Sequence, residues 1–147
     1  MTSPGRLELV ASSPLVLIDG AHNPQGMRAL AAALAEEFSN QEWVLLMSAM
    51  RDKDLSAMIP QLRGHIRSAV ATESASNRAL PADELAITLR AELDVPVESH
   101  AELTTAWARA CELAGSQGAV LVTGSLYLVG AIRGLVMTGT TAQRNER

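Results

Sequence analysis

The chain has one cysteine, few aromatic residues and little positive charge, and each shortage excludes a class of protein. A single cysteine among 147 residues rules out an internal disulfide and a cysteine-based zinc site. Two Trp, one Tyr and one Phe are too few and too scattered for a base-stacking platform. Cys111 follows Trp107 on one side of a predicted helix, so we interpret it as helix core rather than as a nucleophile.

Charge and hydropathy narrow the possible partners further. Lys and Arg number 12 against 16 Asp and Glu, and the net charge of −4 argues against a nucleic-acid partner. The longest apolar-looking stretch, 126–132, is far shorter than the ~20 residues of a membrane span. Residues 1–6 lack the apolar core of a signal peptide. These observations predict a cytoplasmic protein with no membrane partner.

What the sequence does contain is a regular alternation of strand-like and helix-like segments. Hydrophobic residues make up 48% of the chain, and its length suits one domain with its own core. The predicted strands cover 7–10, 15–18, 43–47, 69–71, 95–97 and 119–123. The predicted helices cover 24–37, 54–62, 81–93, 101–114 and 126–136, with Asp54 as a cap of the second.

This alternation predicts an α/β fold. We expect a Rossmann-like, mostly parallel sheet of about six strands with helices on both faces. A turn at 12–14 predicts that the N-terminal strand forms an antiparallel hairpin with the next one. Pro96 interrupts one short strand, which suits an edge. The domain is expected over residues 1–137, followed by a polar, frayed tail over 138–147.

Three loops with polar residues follow predicted strands, at 19–23, 48–54 and 123–125. Ligands of open parallel sheets bind beyond the carboxyl ends of the strands. Two of these loops lead into helix N-termini, which favour anions, so the residues predict a carboxylate or phosphate ligand. The chain has no GxxxxGK[ST], HExxH or GxSxG motif, and no GxGxxG follows its first strand.

Several short motifs resemble those of one family of enzymes. Residues 18–24, Ile-Asp-Gly-Ala-His-Asn-Pro, resemble the signature of bacterial folylpolyglutamate synthase/dihydrofolate synthase, a relative of the Mur ligases. Pro4-Gly5-Arg6-Leu7-Glu8, Asp52-Lys53-Asp54 and Val122-Thr123-Gly124-Ser125-Leu126-Tyr127-Leu128 match in the same order, and Arg78-Ala79-Leu80-Pro81 is a weaker match. Together these motifs span nearly the whole chain.

The resemblance is to the C-terminal, Mur-ligase-type domain of that family, and it implies an activity for the parent enzyme. That enzyme would be an ATP-dependent ligase that adds L-glutamate to folate or dihydropteroate through an acyl phosphate. The N-terminal ATPase domain, absent here, would hold the folate, most of the ATP phosphates and the magnesium. The chain then looks like a domain cut from a longer protein, with Met1 an engineered or internal start, and is expected to be inactive alone.

The resemblance also implies roles for individual residues. Arg6 and Asp19 are expected to contact ATP, and His22 and Ser125 to contact glutamate. From the residues alone, two structural roles are open as alternatives. Arg6 could be a solvated surface residue, and Asp19 could be a turn or cap residue. A lone His is commonly a structural hydrogen-bond partner, and Ser125 suits a plain helix N-cap.

Three further residues are expected to support the loops around this site. Asn23 precedes Pro24 and is interpreted as a helix cap. Asp52 and Lys53 either form an internal ion pair or face the partner domain. No metal ligand and no catalytic residue is assigned within the chain.

Two other functions remain open from the sequence. The chain could be a standalone, non-catalytic module that binds a nucleotide or an amino acid. It could also belong to a Mur-type ligase that acts on a cell-wall precursor. Whether the parent enzyme acts on both dihydropteroate and folates depends on a folate site outside the chain.

Overall fold

A computed structural model describes residues 6–138. One six-stranded sheet has the order β1-β2-β6-β3-β4-β5. The strands are β1 (Glu8–Ser12), β2 (Leu15–Ile18), β3 (Trp43–Met47), β4 (Ile66–Ala71), β5 (Val97–Ser99) and β6 (Ala119–Thr123). Of the expected tail over 138–147, only Thr138 is among the described residues, so the predicted domain end at 137 stays a prediction.

Residues 6–138 form five α-helices, of which the first four connect successive strands and the fifth follows β6. They are α1 (Pro24–Glu37), α2 (Leu55–Met58), α3 (Ala82–Leu93), α4 (Leu103–Ala114) and α5 (Leu126–Met137), and a 3-10 turn (Ile59–Leu62) follows α2. Among residues 6–138, no helix combines the length and apolar character needed to cross a bilayer.

The predicted α/β fold is confirmed, and the sheet has a hydrophobic layer on each face. β3 and β6 are buried along their whole length, as expected of central parallel strands whose residues are apolar on both sides. Helices α1, α2 and α3 cover one face, and α4 and α5 cover the other. β1 pairs antiparallel with β2, and the other strand pairs are parallel, so the predicted N-terminal hairpin is confirmed.

The second predicted helix is shorter than expected, and Asp54, at its N-cap position, makes no capping bond with its side chain. Pro60 has no backbone N–H, so the α-helical hydrogen bonds cannot continue past Ile59; the α-helix ends at Met58 and a 3-10 turn replaces the rest. Asp54 makes no side-chain bond to the helix backbone. Its carboxylate instead accepts a hydrogen bond from Ser56 Oγ at 3.1 Å.

The edge strand is also displaced from its predicted position. β5 lies at the edge of the sheet as expected, but it begins at Val97, after the proline, rather than at 95. Pro96 still contributes to the sheet, because its carbonyl accepts a hydrogen bond from Ala69 N. β4 starts at Ile66, three residues earlier than predicted, where Trp43 N bonds to His65 O.

The carboxyl ends of β2, β6 and β3 lie side by side and are joined by backbone hydrogen bonds. Asp19 N donates to Val122 O and Gly124 N donates to Ala21 O, each at 3.0 Å. Gly124 has a φ of +105°, and a Cβ there would lie 2.7 Å from Met47 Cγ. Only glycine therefore fits this junction, which fixes the loops after β2 and β6 relative to β3.

Candidate functional site

Two cavities open at the carboxyl edge of the sheet and share His22 and Leu126 in their walls. The first, of about 520 Å³, is here called the Arg6 pocket and is lined by Arg6, Asp19, His22 and Asn23 among others. The second, of about 330 Å³, is called the Lys53 pocket and is lined by His22, Lys53, Arg78, Ser125 and Tyr127 among others. The structure thus brings six of the seven predicted site residues to one rim, while Asp52 lies beside it.

Asp19 is buried at the floor of the Arg6 pocket, with 5% of its surface exposed. Its Oδ1 accepts a hydrogen bond from Ala21 N at 2.9 Å, and its Oδ2 accepts one from Leu7 N at 3.0 Å. Burial raises the pKa of Asp19, while the two N–H donors and the nearby Arg6 oppose this rise. Both oxygens of the carboxylate are therefore engaged by backbone N–H groups of nearby loops.

His22 stands between the two pockets in a defined orientation. Its Nδ1 lies 2.8 Å from Gly20 O. A carbonyl can only accept, so Nδ1 carries the hydrogen and Nε2 is the unprotonated nitrogen of the neutral ring. This leaves Nε2 able to accept a proton or a hydrogen bond.

Asn23 and Ser125 cap the two helices that begin at the rim. Asn23 Oδ1 accepts from Gly26 N at 2.7 Å, which confirms the predicted cap of α1. Ser125 Oγ accepts from Tyr127 N at 3.1 Å and from Leu128 N at 3.4 Å, so the simpler expectation of an N-cap also holds for α5. Both bonds use the lone pairs of Ser125 Oγ, so its hydroxyl hydrogen can still be donated to a ligand.

Asp52 pairs with Arg78 and not with Lys53, so the internal ion pair considered from the sequence is wrong. Arg78 Nη2 lies 3.3 Å from Asp52 Oδ2, and both side chains are exposed. Two backbone contacts hold these residues face to face: Arg51 N donates to Arg78 O at 2.9 Å, and Met50 bridges to Ala79. Lys53 instead contributes to the wall of its pocket.

Sequence reasoning missed Arg78 and Tyr127 as members of the site. Arg78 lies in the weaker Arg-Ala-Leu-Pro motif, and Tyr127 lies in the motif that contains Ser125, so both could have been found from the resemblance. What the sequence did not indicate is that the loop over 76–80 pairs with the loop after β3. This pairing brings Arg78 to the same cavity as Ser125.

Metal-binding groups are a separate question. Across residues 6–138, no group of three or more His, Cys, Asp or Glu side chains is arranged to hold a metal ion.

A further cavity of about 600 Å³ lies at the opposite, amino edge of the sheet, between His65, Arg67 and Gly118. It contains none of the predicted site residues.

The fold and the rim define a Rossmann-like domain with cationic side chains at the carboxyl ends of its strands, where ligands of open parallel sheets bind. Comparison of the amino-acid sequence with known families shows which family the chain belongs to. Residues 5–126 match the family described as "Mur ligase, glutamate ligase domain", and the chain belongs to this family. This finding confirms the resemblance drawn from the motifs.

The relatives of the chain include bacterial folate synthases. The chain is 36% identical to the dihydrofolate synthase/folylpolyglutamate synthase of Mycobacterium tuberculosis, over 92% of this chain and 31% of the relative. It superimposes on the structure of M. tuberculosis folylpolyglutamate synthase complexed with ADP and AMPPCP with a TM-score of 0.85 and 36% identity, covering 92% of this chain and 33% of that one.

A second solved structure is that of a bifunctional folylpolyglutamate synthase/dihydrofolate synthase with Mn, AMPPNP and L-glutamate bound. Here the TM-score is 0.77 and the identity 26%, covering 92% of this chain and 32% of that one. The chain therefore spans about a third of the length of the relatives it matches.

Proposed function

We propose that this chain acts as the C-terminal domain of an ATP-dependent ligase that adds L-glutamate to folate or dihydropteroate through an acyl phosphate. One observation carries the proposal: the Lys53 pocket combines two cations, a capped helix N-terminus and a histidine whose Nδ1 is bonded to the Gly20 carbonyl. The relatives that match over about 90% of the chain are folate synthases, whereas a cell-wall ligase of Wolinella succinogenes matches over 35% of it, which supports the folate branch.

The chemistry of the Lys53 pocket matches that of glutamate. Glutamate has two carboxylates and one amine, and Lys53 and Arg78 supply one cation for each carboxylate. The Ser125 hydroxyl and the N-terminus of α5 add donors that favour an anion. His22 Nε2 would accept a hydrogen bond from the amine and orient it for attack on the acyl phosphate.

The Arg6 pocket suits a nucleotide phosphate. The Arg6 guanidinium is exposed at its rim, and its planar fork matches phosphate geometry. The larger volume and the apolar wall formed by Leu7, Leu30 and Leu126 leave room for part of a nucleotide. ATP would supply the phosphoryl group, and we assign its magnesium mainly to residues of the N-terminal ATPase domain.

The proposal assigns the other substrates and the catalytic groups to the N-terminal domain. The folate or dihydropteroate, most of the ATP phosphates and the catalytic groups would belong to the N-terminal domain of the same polypeptide. Enclosure between the two domains would exclude water from the acyl phosphate. The chain alone would be inactive, and the parent enzyme would work in the cytoplasm.

The test is an assay of the full-length polypeptide with ATP, L-glutamate and either dihydropteroate or a reduced folate. We expect ADP release that requires both other substrates, and a large loss of turnover in Asp19→Ala and His22→Ala with folding preserved. His65→Ala is the matched control, because His65 lies at the opposite edge of the sheet. Unchanged kinetics in both rim variants would contradict the proposed site.

The same assay separates the alternatives. A protein that binds ADP or glutamate but releases no ADP with any folate substrate would indicate a non-catalytic binding module. Turnover with a cell-wall precursor and not with folates would indicate the Mur-type ligase.

A further inference from the structure

Leu7 adopts a backbone conformation that its side chain disfavours. Its φ is +48°, in the left-handed region, where a bulky residue other than glycine is unusual. Such a conformation persists only when the surroundings hold it in place. Leu7 lies between Arg6, at the rim of the pocket, and the start of β1, so this turn sets where the Arg6 side chain begins.

The group that holds this turn is the buried Asp19 carboxylate. Asp19 Oδ2 accepts the Leu7 N–H at 3.0 Å across a separation of 12 residues. Its other oxygen, Oδ1, accepts the Ala21 N–H at 2.9 Å, which fixes the carboxylate in the loop after β2. Hydrogen bonds to a buried charged acceptor are strong, so one side chain ties the chain segment carrying Arg6 to the floor of the Arg6 pocket.

We infer that Asp19 is a positioning residue for Arg6: through its bond to Leu7 N it holds the left-handed turn that places the Arg6 guanidinium at the rim. The inference rests on the proposed function in taking the Arg6 pocket as the nucleotide site. It deepens that proposal by assigning the two residues different tasks. Arg6 contacts the phosphate, whereas Asp19 acts on the ligand through Leu7 and Arg6.

The first test is a double-mutant cycle on the affinity of the chain for ADP, measured by NMR titration. Arg6→Ala removes the phosphate contact and is expected to weaken ADP binding about tenfold, the effect of one charge-assisted hydrogen bond. Asp19→Asn keeps the shape but places an NH₂ group against one of the two backbone donors, and it should weaken binding to a similar extent. The double variant should bind no more weakly than Arg6→Ala alone.

A pair of Leu7 variants tests the turn itself. Leu7→Gly and Leu7→Ala both remove the side chain, but only glycine adopts positive φ without strain. Combined with Asp19→Asn, the glycine variant should bind ADP about fivefold more tightly than the alanine variant. Equal affinities, or additive losses for Arg6→Ala and Asp19→Asn, would overturn the inference.

Hydrogen exchange separates this inference from the nucleotide proposal. The Leu7 amide should exchange slowly in the unmodified chain and rapidly in Asp19→Asn, with loss of the NOEs from Arg6 to the pocket wall. If ADP fails to bind while these changes occur, the nucleotide proposal is wrong and the positioning role stands. If the Leu7 amide is protected equally in both proteins, the positioning role is wrong whatever ADP does.

Discussion

The two pockets at the rim share a wall but are built from different kinds of group. In the Arg6 pocket two polar side chains of the loop after β2 are bound to backbone: Asp19 accepts from Leu7 and Ala21, and Asn23 accepts from Gly26. In the Lys53 pocket the charges are on long side chains, and Arg78 is 69% exposed beside its partner Asp52. The Arg6 pocket thus has a carboxylate held at its floor by two backbone N–H groups, whereas the Lys53 pocket has two long cationic side chains in its wall.

This difference indicates how each pocket would handle its ligand. A polar group that is already hydrogen-bonded to backbone keeps its geometry before a ligand binds. The free-energy cost of ordering it on binding is therefore small. The Lys53 pocket has two cationic side chains, Lys53 and Arg78, against one in the Arg6 pocket, and salt screens the attraction of each for an anion. We therefore expect affinity in the Lys53 pocket to depend more strongly on ionic strength.

The largest effect is expected where both pockets depend on one residue. Gly124→Ala would place a Cβ against the backbone at Ser48 and 2.7 Å from Met47 Cγ, at a φ of +105°. Strain and overpacking together should lower the free energy of unfolding by roughly 3 kcal/mol or more, measured by urea denaturation.

Gly130→Ala is the control for that change. Gly130 lies in α5 and has no atom within 4 Å of an added Cβ, so alanine should be neutral or should stabilise by up to about 1 kcal/mol. Equal stability of the two variants would mean that the junction of the loops after β2, β6 and β3 is not tightly packed.

The next effect concerns the Lys53 pocket alone. Lys53→Met keeps the length of the side chain but removes its charge, and should weaken L-glutamate binding about fivefold to tenfold with little change in ADP binding. Arg28→Met removes the same charge from an exposed position on α1 and is the control. Parallel losses of glutamate and ADP affinity in Lys53→Met would show that the pockets are not independent.

A smaller effect of opposite sign is expected for Asp52→Asn. Removing the partner of Arg78 frees the guanidinium for the ligand, so glutamate should bind up to about fivefold more tightly, the range of an exposed ion pair. Asp54→Asn removes the same charge from the same loop without touching Arg78. Similar gains in both variants, measured by titration at low salt, would indicate a general charge effect instead.

The smallest effect is expected at the β5 edge, away from both pockets. Arg109 binds both oxygens of Glu98 at 2.8 Å, and its hydrogen bonds lower the pKa of Glu98 to about 2. Because the folded pKa is depressed, the ionised Glu98 stabilises the fold above pH 4.5, and this contribution is lost as the pH falls toward 2.

Glu98→Gln should therefore lower the Tm slightly at pH 7, and the gap to the unmodified chain should close between pH 4.5 and 2. The affinities for glutamate and ADP at pH 7 should not change. A Tm gap that stays constant across this pH range would contradict the assignment of the pair, and a change in either affinity would link the edge to the rim.

Short sequence patterns predict the positions of most strands and helices well. β3 and β6 were predicted to the residue because each is an uninterrupted apolar run between turn signals, and α1 because Asn23 and Pro24 mark its start. The error in the length of the second helix arises where two sequence patterns disagree. Asp54 suggests a cap, but Pro60 ends the helix before a full α-helical segment forms.

Contacts between distant segments could not be predicted in this way. Asp52 pairs with Arg78, which lies 26 residues further along the chain, and Asp19 accepts a hydrogen bond from the amide of Leu7, which precedes β1. The resemblance indicates candidate site residues but not these partners, because motifs identify residue types and not hydrogen bonds.

The most direct test of the two-pocket account is a pair of ¹⁵N NMR titrations of the chain, one with L-glutamate and one with ADP. Glutamate should shift the amides around His22, Lys53, Arg78 and Ser125, whereas ADP should shift those around Arg6, Asp19 and Asn23. Only the amides near His22 and Leu126, which border both pockets, should respond to both ligands. Shifts confined to the cavity between His65 and Arg67, or no saturable shift with either ligand, would contradict the account.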